Sequence, residues 1–518
     1  MPVDKLLLSH RGALQAKYKA AGFKKIEAAL KALVAADLKR GLTSQVIYLD
    51  DALTLKPLGA KAMTQAGDAR QAKGAIDALY KQLAPHYLVL IGAPDVLPMV
   101  PLTNPAYSAD GDGDRTVPSD LPYACAGAYS VRASQFLGPT RVVGRIPDLP
   151  GATVPTLLLQ LLKAAAAARP LPQAEYQGYF GLSAEVWANS TALSLRNTFG
   201  ADAAMHSAPP SGPAWSGSEL APRLHFINCH GADRDDGYYG QSVQDPSQYP
   251  RAHHAPLLAG KVRPGTVVAA ECCYGAQLYD PKQGNNTQGI ALTYLEQGAA
   301  AVFGSTTIAY GPSEGNGAAD LITQYFLQRV LAGASLGRAV LEARLQFAGQ
   351  RTHLDPYDLK TLAQFYLLGD PSLQPVAPSA HALTRTPAFK ALFPANQDRS
   401  VRALRREKLE RDGGHLQAAL PKLQALAGDA VELPEAIAQA LRSLARDSGM
   451  TGGAVRSFDL KARGRRAGGA ALGQRRIHAL AVPVSEGTQA GQAGHRVRAI
   501  VVTEQDGALL HVRRLHSR

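Results

Sequence analysis

Cysteine is scarce: four residues in 518, Cys125, Cys229, Cys272 and Cys273, too few and too unevenly placed for a disulfide framework. In a reducing compartment they would stay as thiols. Aromatic residues make up only 6% of the chain, with two tryptophans, and alanine is abundant, which favours helices over an all-β protein. Long apolar runs are absent too. The most suggestive, Ala164–Ala168, is confined between Lys163 and Arg169, far below the roughly 18 residues that cross a bilayer. The opening MPVDKLLLSH has an apolar run of three, short of a signal-peptide core. A cytoplasmic protein with no membrane span is therefore expected.

What is present describes a folded chain of roughly two to four domains. Hydrophobic residues account for 46% and charged residues for 19%, outside the range of disordered chains. The net charge of +13 is unevenly spread: residues 401–518 hold 20 lysines and arginines against 11 acidic residues, so nine of the thirteen charges fall there. A basic surface suited to an acidic partner or nucleic acid is placed at the end of the chain, not at its front.

Residues 1 to 80 read as helices with one buried strand, QVIYL at 45–49, followed by the strand HYLVLI at 86–91. A polar loop at 109–120, a short strand at 141–147 and a helix at 153–168 complete a first block. After the proline-rich link RPLP at 169–172, strands are expected at 176–180, 224–229, 266–270 and 299–303. Helical periodicity appears at 317–332 and 337–348. Short apolar runs between helices predict parallel sheet with both faces covered, here two α/β sheets in tandem over 1–170 and 171–378. Residues 379–450 read as a helical linker region, and 451–518, with a Gly/Arg-rich loop at 462–473, as a small basic β-rich domain.

In a parallel α/β sheet the site lies beyond the carboxyl ends of the strands. Two strands end in reactive residues: one in Cys229-His230-Gly231, the other in Glu271-Cys272-Cys273-Tyr274-Gly275. A thiol is a weak nucleophile unless an imidazole or another positive influence lowers its pKa, and neighbouring strand tips about 4.8 Å apart bring the two within reach of one carbonyl. The amides of Gly231 and Cys273 are the natural donors to an oxyanion. A core histidine beside small apolar thiols is the competing reading. Zinc fits poorly, because adjacent strand residues point to opposite faces, and no metal or cofactor is expected. The run Asp110-Gly-Asp-Gly-Asp114 lacks the Gly and Glu positions of an EF-hand loop.

The order of these words resembles the gingipain family of cysteine peptidases, within the clan of caspases, legumain and metacaspases. The similarity is carried by strand–His-Gly at 224–231, strand–Cys turn at 266–275, GAAAVFGST at 298–306 and FYLLGDPSL at 365–373, and at the front by YLVLIG at 87–92, SDLPY at 119–123 and VGRIP at 143–147. It implies an α/β caspase-like three-layer sandwich with a mainly parallel sheet, preceded by a related α/β subdomain and followed by a small helical plus β domain. It implies a cysteine endopeptidase acting on protein or peptide substrates through His230 and Cys273, with Cys272 as the alternative nucleophile; Cys-x-x-Gly spacing selects Cys272, while Glu-x-Cys and Cys-x-Gly spacings select Cys273. In this clan an acidic pocket wall accepts arginine or lysine before the scissile bond. Glu271, Asp120, Asp233, Asp235 and Asp236 are the candidates for it, with Asp112 and Asp114 in a loop of similar reach. The rival reading is a silent caspase-like scaffold whose basic tail binds a partner.

Overall fold

The computed structural model describes residues 3–312, 315–377, 399–426, 432–461, 474–483 and 496–518, with backbone alone for 399–402. In chain order the strands of the front half are β1 (Lys5–Ser9), β2 (Ser44–Tyr48), β3 (Tyr87–Ile91), the hairpin β4 (Val100–Thr103) and β5 (Thr116–Ser119), and β6 (Val143–Ile146). The back half supplies β7 (Tyr179–Ala184), β8 (Met205–Ala208), β9 (Leu224–Asn228), the small sheet β10 (His230–Gly231), β11 (Gly237–Tyr239) and β12 (Arg251–His254), then β13 (Val267–Ala270), β14 (Ala301–Gly304), β15 (Tyr310–Gly311) and β16 (Tyr366–Gly369). The last strands are β17 (Lys422–Ala425), β18 (Val455–Lys461), β19 (Arg475–Pro483), β20 (Val497–Gln505) and β21 (Ala508–Ser517). The 462–473 loop lies outside the described residues.

The two blocks read from the sequence share one sheet rather than forming two. Its order is β2-β1-β3-β6-β16-β14-β13-β9-β7-β8. Neighbours run parallel except at β14/β16, where Val302 faces Leu368 in antiparallel register. β16 is the seam: it also pairs in parallel with β6 through Leu368 and Arg145, so the back half of the chain returns one strand to the front half. A buried charge cluster fastens this closure. Lys5 Nζ sits 2.9 Å from Asp37 and 2.5 Å from Asp370, with all three side chains sealed from solvent. That charge hides β1 from a reading of apolar runs.

Alternation along the central strands builds the layers. Leu6, Leu8, Leu88, Leu90, Phe226, Ala269 and Phe303 enter one core, while Leu7, Val89, Ile91, Ile227, Val268 and Val302 enter the other. Helices cover both faces. Helix Ala69–Leu83 is typical: Asp68 caps it by accepting from the amides of Arg70 and Gln71, and Ala72, Ala75, Ile76 and Leu79 bury one stripe. The expected three-layer α/β sandwich is therefore present.

The carboxy-terminal part is an antiparallel sheet of order β15-β21-β20-β19-β18-β17, with helix Glu435–Asp447 packed on it through Ile437 and Leu441 against Ile500 and Val502. β17 thus joins the strands that follow it. Helix Arg399–Ala419 instead reaches the body, where the Gln417 side chain accepts from the Leu137 amide at 2.7 Å. The edge strand β15 comes from the back half of the body.

Candidate active site

β9 and β13 are parallel neighbours, with Ala270 opposite Ile227, and the Glu271 amide still donates to the Ile227 carbonyl at 2.8 Å. Carried three residues on, that register sets His230 beside Cys273. The chains come so close there that a Cβ on Gly231 would overlap the Cys273 carbonyl oxygen, which only glycine avoids.

The His230 ring lies between Trp187 and Tyr249, with centroids 4.3 and 5.2 Å away. Its Nε2 is 2.9 Å from Gln241 Oε1. The Gln241 amide is itself oriented, its Nε2 donating to the Pro246 carbonyl and to Tyr249 Oη. An amide oxygen only accepts, so His230 Nε2 carries the hydrogen and Nδ1 is left as the basic nitrogen. Burial, followed by the positive charge of Arg496, holds the imidazole well below its usual range.

The two thiols have different surroundings. Cys272 is enclosed with Cys229, Tyr238 and Tyr294 in the core that also holds Leu7, Val89 and Val302. Burial there pushes its thiol pKa up. Cys273 belongs to a separate cluster with Ile308, Tyr310, Ile477, Val497 and Leu515, and its sulfur accepts from the Ala309 amide at 3.3 Å. Burial pushes its pKa up to about 12. Among the described residues no hydrogen bond joins either thiol to His230.

Arg518 fills the space beside them. Its carbonyl oxygen accepts from the Cys273 amide at 3.2 Å, and its amide donates to the Ala309 carbonyl at 2.9 Å. Its side chain is buried: the guanidinium donates to Asp320 at 2.8 Å and to the Pro312 carbonyl at 2.7 Å, and it lies 4.4 Å over the Trp187 ring. A Cβ on Gly311 would collide with that guanidinium.

Glu271 stands at the base of this pocket, bonded by Thr323 Oγ1 at 3.0 Å, with its second oxygen buried and unpartnered. Burial first, then the neighbouring Asp320 carboxylate, holds it well above the usual carboxyl range.

The other predicted acidic residues lie elsewhere. Asp120 is bound to Arg145 at 2.6 Å in a buried pair. Asp233 is held by Arg234 and Gln277, Asp235 accepts from Tyr239 Oη, and Asp236 pairs with Arg251 and His254. Asp112 and Asp114 are both met by Lys360, and Asp114 also takes the Ile308 amide at 3.0 Å; they brace the segment that leads into β15. Sequence reasoning missed Trp187, Gln241, Gly311 and Asp320. Nothing local marks them, since each is ordinary in its own helix, strand or loop.

The fold and these residues define an α/β protein with a histidine and a cysteine at adjacent strand tips and an acidic pocket beside them. Residues 237–376 match the family model for peptidase family C25, so the resemblance to gingipain-type cysteine peptidases holds over a stretch that includes both candidate cysteines. A solved structure described as "Structure of Protease" is similar over 100% of this chain and 97% of its own, at 14% identity and a TM-score of 0.43. No curated protein matches.

Proposed function

We propose that this chain is a cysteine endopeptidase that cleaves on the carboxyl side of arginine, with Cys273 as nucleophile and His230 as its base and acid. The observation that carries this reading is the seating of Arg518: a carbonyl on the Cys273 amide and a guanidinium on Asp320 within one residue. A substrate arginine seated the same way presents its carbonyl carbon to the Cys273 sulfur. His230 Nδ1 takes the thiol proton as sulfur adds to that carbon. The oxyanion is met by the amides of Cys273 and Gly231. Collapse breaks the C–N bond, and the imidazolium gives its proton to the leaving amine. Water, deprotonated by the same imidazole, then cleaves the thioester and restores the thiol. Gln241 acts as a positioning residue that fixes the tautomer.

Cys273 is favoured over Cys272 because its own amide meets the seated carbonyl and its sulfur lies against the segment leading into β15, whereas Cys272 is buried with Cys229, Tyr238 and Tyr294. The charge at the end of the chain is partly consumed within the molecule: Arg513 pairs with Asp355 and Asp358, and Arg456 donates to the Pro105 and Tyr107 carbonyls. That weakens the alternative of a silent scaffold with a free basic tail. The test is hydrolysis of fluorogenic peptide amides ending in arginine, lysine or aspartate. Preferential release after arginine, lost in Cys273→Ala, is expected; no release from any of them in wild type or in a variant with the pocket freed overturns the assignment.

A further inference from the structure

The segment that occupies the pocket is part of the chain itself, and its geometry is that of a bound substrate. β21 adds to the edge strand β15 in antiparallel register, Ser517 opposite Tyr310 and His516 opposite Gly311. β15 pairs with no other strand among the described residues, so the contact is a backbone pairing of an extended segment with a short stretch of the body, beside a side-chain pocket, the two elements by which extended peptides are commonly bound. We propose that the carboxy-terminal β-domain is a tethered inhibitor, whose Leu515-His516-Ser517-Arg518 segment holds the substrate cleft until a competing arginine-containing strand or a release of the domain displaces it. This rests on the arginine-directed peptidase reading above and adds its regulation.

Three further contacts keep the segment in place. The β-domain core and the site share one apolar cluster, in which Ile477, Val497, Ala499 and Leu515 surround Cys273, Ile308 and Tyr310. Arg513 on β21 is clamped by Asp355 and Asp358 of the body. Arg496, just before β20, packs on Tyr249, the ring that covers His230. Both members of the dyad are sealed in consequence, His230 at 6% and Cys273 at 4% exposure. Substrate and water reach neither while β21 is seated. The Gly311 requirement is independent support, since the edge strand gives up a side chain to admit the guanidinium.

Arg518→Ala removes the pocket's occupant and leaves the catalytic residues untouched. Binding is read on a Cys273→Ala background by the anisotropy of a fluorescent, acetylated Leu-His-Ser-Arg peptide, and turnover on the Cys273 proteins with an arginine aminocoumarin amide. If the cleft is open in only a minor fraction of molecules, apparent affinity is reduced by that fraction, so Arg518→Ala is expected to tighten binding by about tenfold or more and to raise hydrolysis in parallel. Tighter binding without hydrolysis upholds the tethered inhibitor and sinks the peptidase reading. Equal binding with and without Arg518 overturns the inhibitor, whatever the turnover. Should Arg518→Ala unfold, hydrogen exchange on the unmodified chain decides instead: added peptide must speed exchange of the amides at 515–518, and unchanged protection there refutes displacement.

Discussion

Asp320 holds the Arg518 guanidinium at 2.8 Å with one carboxylate oxygen and accepts from the Gly317 amide at 3.1 Å with the other. One side chain therefore caps a helix and forms the floor of the pocket that holds Arg518. Asp320→Asn keeps an oxygen for the cap and removes the charge, so the fold is expected to stand while kcat/KM for arginine substrates falls by about 100-fold, measured in a background with the pocket freed.

Glu271 is predicted to behave as a neutral acid. Its carboxyl is held above the usual range by burial and by Asp320, so its contribution is complete at low pH and is lost as pH rises through the folded-state value. Glu271→Gln mimics the neutral form. Urea unfolding at pH 6 and pH 9 is expected to show a smaller alkaline loss of stability in the variant than in wild type.

Cys272 and Cys273 should separate by phenotype. Cys273→Ala is expected to lower hydrolysis by at least ~1,000-fold. Cys272→Ala is expected to keep turnover and lose about 1 kcal/mol from a tightly packed interior. The reverse pattern moves the nucleophile to Cys272.

Gln241→Glu places a carboxylate against His230 Nε2 in place of an amide oxygen. The imidazolium is then favoured, and the acid limb of the kcat/KM profile shifts to higher pH. Gln241→Ala frees the ring, and kcat falls while KM holds. Equal profiles for all three proteins would remove Gln241 from the mechanism.

Two buried histidines predict acid lability. Burial lowers His225 to about 4 and His253 to about 3 from the ordinary 6.5, and both bond Tyr294 Oη. A depressed folded-state pKa gives stability that is complete above 6.5 and drains away as pH falls through those values. Urea midpoints should drop between pH 6.5 and 4, and less steeply for His253→Gln.

Lys5 is sealed with Asp37 and Asp370. Lys5→Met removes the cation shared by Asp37 and Asp370, leaving Asp37 to Arg40 and the buried Asp370 carboxylate without its ion pair, and is expected to cost ~3–5 kcal/mol, visible as a lowered denaturant midpoint. It would uncouple β1 from the turn after β16 and loosen the seam between the halves.

Much of this architecture was legible in the residues. Runs such as Tyr87–Ile91 and Val267–Ala270 are apolar on both faces and became central strands. β1 and β8 escaped because Lys5 and the polar Met205-His-Ser-Ala208 lack that signature. A short apolar run carries no information about its neighbour across the sheet, and so two sheets were expected where β16 makes one. Asp120 read as a pocket acid because it lies in a loop; a buried Arg145 claims it.

By itself the sequence determined the strand tips and the residues they carry: His230-Gly231 after one apolar run and Cys272-Cys273 after another follow from local pattern. Only tertiary structure decided which acids line the pocket and what occupies it. Asp320 and Arg518 are separated along the chain and ordinary in their own neighbourhoods. Their pairing comes from β21 docking on the edge of β15, where backbone hydrogen bonds, a desolvated guanidinium and an apolar cluster act together across distant segments.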